Sequence, residues 1–161
     1  MESARRIQFA QVQKSEAWLD FIVRHFAVSK DTAENLAALG AIYRNQLRWS
    51  SKDVPVFQAQ DLIRVHLQPK RFPAGLLQDI EILVDEPTWF AVRKPSGLPS
   101  HETLDNLHEN VKAEMQRRLG REVWGLSRLD VGTSGVLLFA KNSETARDFN
   151  TKILPQAEKI Y

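Results

Sequence analysis

The chain has 161 residues, 43% of them hydrophobic and 26% charged, with 22 Lys and Arg against 20 Asp and Glu for a net charge of +2. This balance is that of a folded protein of one ordinary domain or two small ones, and it excludes a disordered chain. The lack of cysteine excludes a disulfide framework and thiolate metal sites, and His25, His66, His101 and His108 show no paired ligand spacing, so no metal is expected.

Nowhere do 18 apolar residues run together, and residues 1–11 hold no apolar core, so the expectation is a cytoplasmic protein without a membrane span, an organellar address being also compatible. Charge is unevenly spread. Residues 1–72 hold 11 Lys and Arg against 7 Asp and Glu, while residues 73–161 hold 11 against 13. A basic front half suits phosphates, and a solvated surface is equally compatible with it.

The spacing of Trp18, Leu19, Ile22, Val23 and Phe26 predicts an amphipathic helix over 15–26, with Ser15 as its N-cap. Ser29 caps a second, whose inner face takes Ala33, Leu36, Ala37 and Leu39 and which ends at Gly40. Residues 41–45 are short enough for a strand. A loop through Ser50, Ser51 and Pro55 leads to a second strand opening at Leu62 and Ile63 and ending before Pro69. Lys70-Arg71-Phe72-Pro73 reads as a hinge, which sets a domain boundary between 1–72 and 73–161.

Beyond the hinge, Ile80, Ile82, Leu83 and Val84 predict a strand, and 89–93 a second, joined through a turn at Asp85-Glu86-Pro87. The second runs into Lys94-Pro95-Ser96-Gly97-Leu98-Pro99. Apolar residues at 104, 107, 111, 115 and 119 predict a helix closed by Gly120, with His101 before it and His108 on it, both read as surface or loop residues. Ser143 caps a last helix, with Ala146, Phe149, Asn150 and Ile153 on one face, which stops at Pro155.

Between these helices lies Ser127-Arg128-Leu129-Asp130-Val131-Gly132-Thr133-Ser134-Gly135, followed by the apolar run Val136-Leu137-Leu138-Phe139-Ala140. In an extended segment residues two apart share a side, so Arg128 and Asp130 face one way and Leu129 turns into the core. An Arg-x-Asp pair alone is most often a solvated ion pair of little energetic weight. The joined string, Arg-Leu-Asp and then a Thr-Ser-Gly turn ahead of a buried strand, closely resembles the catalytic segment of the RluA-type pseudouridine synthases. That resemblance implies that Asp130 is the catalytic carboxylate and that Arg128 helps to hold a flipped-out nucleotide.

Three further stretches are similar to the same family. Its first motif is a Lys-Pro-x-Gly-Leu step near the active site, which would put Lys94 among the substrate-binding residues. A Lys-x-Tyr step follows the helix after the catalytic turn, and Lys159-Ile160-Tyr161 matches it at the separation from Asp130 that the family calls for; its tyrosine packs against the target base. Two short helices, Gly40-Ala41-Ile42-Tyr43-Arg44-Asn45 and a strand opening with Gln60-Asp61-Leu62-Ile63 resemble the S4-type RNA-binding domain that often precedes these synthases. Such domains usually carry several basic residues on the second helix, whereas here Lys30 is offset by Asp31 and Glu34. Ser127 stands where the family usually has His.

The expected fold is therefore α+β: a small S4-like αα-β domain, then the first part of a mixed-sheet pseudouridine synthase domain. Family domains continue well past the Lys-x-Tyr step, so the second half is expected to fold incompletely, to leave apolar faces of Val136 to Phe139 uncovered, and to turn over slowly or not at all. The implied partner is RNA, ribosomal or transfer, acted on by a monomer with no cofactor. A carboxylate against the sugar or base would serve as nucleophile or as proton acceptor, while Tyr161 and Arg128 hold the extruded base and fill its vacated place. Gly132 and Gly135 would allow close backbone approach, and the Thr133 and Ser134 hydroxyls could bond the turn or a phosphate. Two other readings stand beside this one: a non-catalytic RNA-binding fragment, and a serine hydrolase using Ser134, which lacks the Gly-x-Ser-x-Gly elbow.

Overall fold

A computed structural model describes residues 6–50, 52 and 55–156. The chain divides into two compact units, Met1–Arg71 with Leu104–Leu107, and Phe72–Thr103 with His108–Tyr161.

The first unit sets two helices against one face of an antiparallel sheet. Its elements in order are β1 (Ile7–Gln11), β2 (Glu16–Ala17), α1 (Trp18–Phe26), α2 (Lys30–Ala38), β3 (Ile42–Arg44), β4 (Leu47–Arg48), β5 (Val56–Phe57) and β6 (Leu62–His66). The sheet order is β1-β6-β3-β4, with β2 and β5 forming a separate small pair. Ile42, Ile63 and Val65 bury one sheet face against Phe21, Ile22 and Phe26 of α1 and Ala33 and Leu36 of α2. Such burial, about 2 kcal/mol for each large side chain, is what holds so small a layer pair together.

Local chemistry explains the ends of these elements. Ser29 caps α2 as expected, its hydroxyl accepting from Thr32 N–H at 3.1 Å, and Gly40 leaves the helix at φ +71°. Ser15 does not cap α1. Residues 16–17 pair with β5 instead, so the helix opens at Trp18 without a side-chain cap, and the Ser15 hydroxyl donates to Gln58 Oε1 at 3.0 Å. Asn45 and Gln46, both at positive φ, make the two-residue turn that joins β3 to β4.

Asp61 ties that turn to the loop before β6. Its carboxylate accepts from Arg44 Nε at 2.6 Å, Asn45 Nδ2 at 2.7 Å and Gln58 N–H at 2.7 Å. Burial pushes the Asp61 carboxyl up, but these hydrogen bonds and the Arg44 charge outweigh it and hold the group below its ordinary value of 3.8. Asp61→Ala strands a half-buried guanidinium and a backbone N–H, and is expected to lower stability by roughly 3 kcal/mol. Because the folded-state pKa is depressed, the contribution is complete above 3.8 and is lost as the pH falls through the folded value. Thermal unfolding of the variant and the parent chain from pH 7 downward checks both statements, the difference between the two chains narrowing as the pH falls below 3.8.

The second unit comprises α3 (Ala74–Gln78), β7 (Glu81–Asp85), β8 (Trp89–Lys94), α4 (Val111–Leu119), β9 (Trp124–Gly125), β10 (Gly135–Ala140) and α5 (Ser143–Asp148), followed by a π-helical turn at Phe149–Ile153 and a 3-10 turn at Leu154–Gln156. Its antiparallel sheet runs β7-β8-β10-β9. Phe90 and Phe139, directly opposite in register, stack with centroids 5.2 Å apart and form the core with Val92, Leu98, Val111, Met115, Val123 and Leu137. The apolar run after Gly135 thus becomes a strand with two unlike faces. Leu137 and Phe139 are buried, while on the other face Ala140 is buried and Leu138 half-buried in a small cluster with Leu126 and Ala146, so that face is uncovered only at Val136.

Two helix limits depart from expectation. The periodicity over 104–119 yields a helix only from Val111, where Asn110 caps it by accepting from Ala113 N–H at 2.9 Å. Leu104–Leu107 belongs to the first unit, held by the Tyr43 hydroxyl on Leu104 O at 2.7 Å and by Leu107 N–H on Leu39 O at 2.9 Å. The cap of the last helix is Asn142 and not Ser143, accepting from Thr145 N–H at 2.8 Å. Among the described residues no helix is long and apolar enough to cross a membrane.

Candidate active site

Arg128 and Asp130 sit in the extended approach to β10, and the alternation expected there is present. Arg128 and Asp130 are exposed, whereas Leu129 packs against the core. Ser127 latches the start of the segment to the sheet by accepting from Leu138 N–H at 3.1 Å. Thr133 N–H on Asp130 O, at 3.1 Å, closes the turn, with Thr133 and Ser134 exposed on it.

This turn is fastened to loop 95–100 along its length. Ser100 Oγ donates to Leu129 O at 2.7 Å and accepts from Leu129 N–H at 3.0 Å. Gly97 N–H donates to Val131 O at 2.7 Å, and the Ser96 hydroxyl to Gly132 O at 2.7 Å. Gly97 lies at φ +91°, a conformation that admits glycine and few other residues, and this turns its N–H toward Val131.

Lys94 lies beneath both loops. It was expected among the substrate-binding residues by its motif, yet its side chain is wholly buried, with Nζ donating to Leu98 O at 2.6 Å, Pro95 O at 3.1 Å and Val131 O at 3.2 Å. Burial pulls its ammonium pKa down, and the Asp130 charge pulls it back up. Asp130 therefore stands at the lip of a rigid loop pair, with a buried cation behind it. Tyr161 lies outside the described residues.

Beside Arg128 opens a cleft of about 330 Å3 lined by His101, Glu102, Gly125, Leu126, Ser127 and Arg128. His101 is no free surface histidine. Its imidazole packs on the backbone of Gly125, where an added Cβ would fall 2.0 Å from Nε2, and lies 6.3 Å from the Phe139 ring. Burial first, and the Arg128 charge next, hold its pKa below the usual histidine range, with Glu102 pulling the other way. Sequence reasoning missed Ser96, Ser100 and His101, because each owes its place to a partner about thirty residues away. Among the described residues no three His, Asp or Glu side chains converge in a way that could hold a metal ion.

Residues 88–161, which carry the whole of this segment and its turn, match the model of the RNA pseudouridylate synthase family. The chain is 42% identical over 69 residues to "tRNA pseudouridine synthase C" of Pasteurella multocida, a match covering 42% of this chain and 28% of that protein. It is 29% identical over 106 residues to "tRNA pseudouridine(31) synthase" of Saccharomyces cerevisiae, covering 66% of this chain and 22% of that one. A Caenorhabditis elegans protein, "Uncharacterized protein K07E8.7", is 32% identical over 128 residues, 79% of this chain and 29% of the relative. The chain thus matches less than a third of the length of each of these relatives.

Two tests rest on the geometry of residues 94–135. Lys94→Met keeps the length of the side chain but takes the ammonium from the Leu98 and Pro95 carbonyls and leaves Val131 O with Gly97 N–H alone, and is expected to lower stability by about 3 kcal/mol; an unchanged unfolding midpoint would show that the ammonium is not holding the loops. His101 binds a proton less readily when folded, so as the pH falls through its ordinary value of 6.5 the unfolded chain gains protons that the native one refuses, and stability declines. His101→Gln should flatten that decline in chemical unfolding followed from pH 8 to pH 5.

Proposed function

We propose that the chain is an RNA pseudouridine synthase in which Asp130 is the reacting carboxylate. The observation that carries this reading is the exposed Asp130 side chain at the head of a turn that is bonded residue by residue to the Lys-Pro-Ser-Gly step. The isomerisation breaks the bond from the uracil ring nitrogen to the ribose and joins the ribose to ring carbon five. A proton leaves that carbon and one is gained at the nitrogen, so no electrons enter or leave and no cofactor is consumed. A carboxylate here serves as nucleophile on the ribose carbon or as acceptor of the proton.

The other residues take supporting parts. Arg128, exposed beside the 330 Å3 cleft, braces the place that the extruded base leaves. Thr133 and Ser134 present hydroxyls to the RNA backbone from the same turn. Lys94 acts as a positioning residue through the two loops. Tyr161 is assigned the aromatic contact with the base on its motif alone. The first unit is read as an S4-like RNA-binding domain over 1–72, and the printed names of the relatives favour transfer RNA as the substrate class.

Release of tritium from RNA labelled at uracil carbon five reads the reaction directly. The chain is expected to release it slowly at most, and Asp130→Asn to abolish what release there is. Release that survives Asp130→Asn at an undiminished rate would overturn the assignment.

A further inference from the structure

The sheet of the first unit has a second face, opposite α1 and α2. Strand register puts Phe9 across from Arg64, Arg64 across from Tyr43 and Tyr43 across from Arg48, so these four side chains form one row over all four strands. Ile7 and His66 form the next row on that side, and Leu62 and Gln11 flank it on the other. Phe9 is 61% exposed, and Ile7 and Leu62 are also exposed.

Arg64 is prepared on this face. Its guanidinium carbon lies 4.0 Å from the centroid of the Tyr43 ring, while Tyr43 is itself fixed by donating to Leu104 O at 2.7 Å. Nε of Arg64 is buried without a partner, and no carboxylate among the described residues pairs with the guanidinium. Arg48 approaches the same ring at 5.1 Å. Of the described carboxylates of the unit, Glu16, Asp20, Asp31 and Glu34 are on or beside the helices, and Asp61 is engaged by Arg44. Asp105 acts on the row containing His66, and it also accepts from Lys70 N–H at 2.7 Å.

We propose that this outer sheet face binds single-stranded RNA, with Phe9 stacking on a base and Arg64 meeting the neighbouring base or phosphate. An exposed ring beside a cation held flat and unpaired is suited to the π-face and negative backbone of a single strand. A protein partner would need a larger apolar patch or a carboxylate aimed at Arg64. The helix side, where Lys30 is accompanied in the sequence by Asp31 and Glu34, offers a polyanion less. The choice of RNA rests on the synthase reading above, while the surface stands on its own geometry.

The test is fluorescence anisotropy of a labelled single-stranded oligouridine titrated with the full chain at several salt concentrations. Phe9→Leu and Arg64→Gln are each expected to weaken binding about tenfold, and Arg64→Gln to reduce the salt slope by about 0.7. Phe9→Trp should retain binding and Lys30→Ala, on the helix side, should change nothing; melting curves of the variants verify folding. Failure of the parent chain to bind, equal affinity in Phe9→Leu and Arg64→Gln, or self-association in gel filtration that disappears in Phe9→Leu without any RNA binding would each overturn the proposal. Tritium release is scored separately: intact release with Phe9-independent binding removes this surface alone, and Phe9-dependent binding with no release removes the catalytic reading alone.

Discussion

A buried ammonium group joined to three backbone carbonyls is the constraint on which the second unit depends. Lys94 ends β8, so its backbone is fixed by the sheet, and its Nζ reaches into the two loops that lie over the sheet's end. A cation so placed is stable only if its surroundings supply oxygen, and loops can do this only by turning carbonyls inward. That requirement bends loop 95–100 and the segment carrying Asp130 around a common centre. The hydrogen bonds from Ser96, Gly97 and Ser100 then lock the two together.

The first unit is built on a different balance. Its helices and sheet share an ordinary apolar core, and its one deeply placed carboxylate, Asp61, organises the turns at one edge of the sheet. Cations elsewhere in the unit have other company. Arg64 and Arg48 rest on the ring of Tyr43, and the ring restricts the motion of Arg64 without cancelling its charge.

How far the sequence could be read depended on how local each signal was. Strand β10 and the turn before it were legible because the chemistry and the apolar run are contiguous, and α2 because its cap and terminator flank it. The strand β1 was not seen: its exposed Ile7 and Phe9 face away from the core while Gln8 and Ala10 face it, which inverts the usual pattern. The helix expected from Leu104 failed for a related reason, since Leu104 and Leu107 have helical spacing but serve the first unit. In the site, Arg128 and Asp130 could be named from their neighbours, whereas the buried state of Lys94 and the place of His101 arise from contacts between distant segments and leave no mark in the local sequence.

The pair of hydrogen bonds between the Ser100 hydroxyl and the Leu129 backbone acts like a single rung of sheet between two loops that are not strands. Through it and its neighbours, the main chain on both sides of Asp130 is held, while among the described residues nothing engages the carboxylate itself. Among the described residues the carboxylate thus has no hydrogen bond that a ligand would have to break, and the stiffness that aims it lies in the backbone.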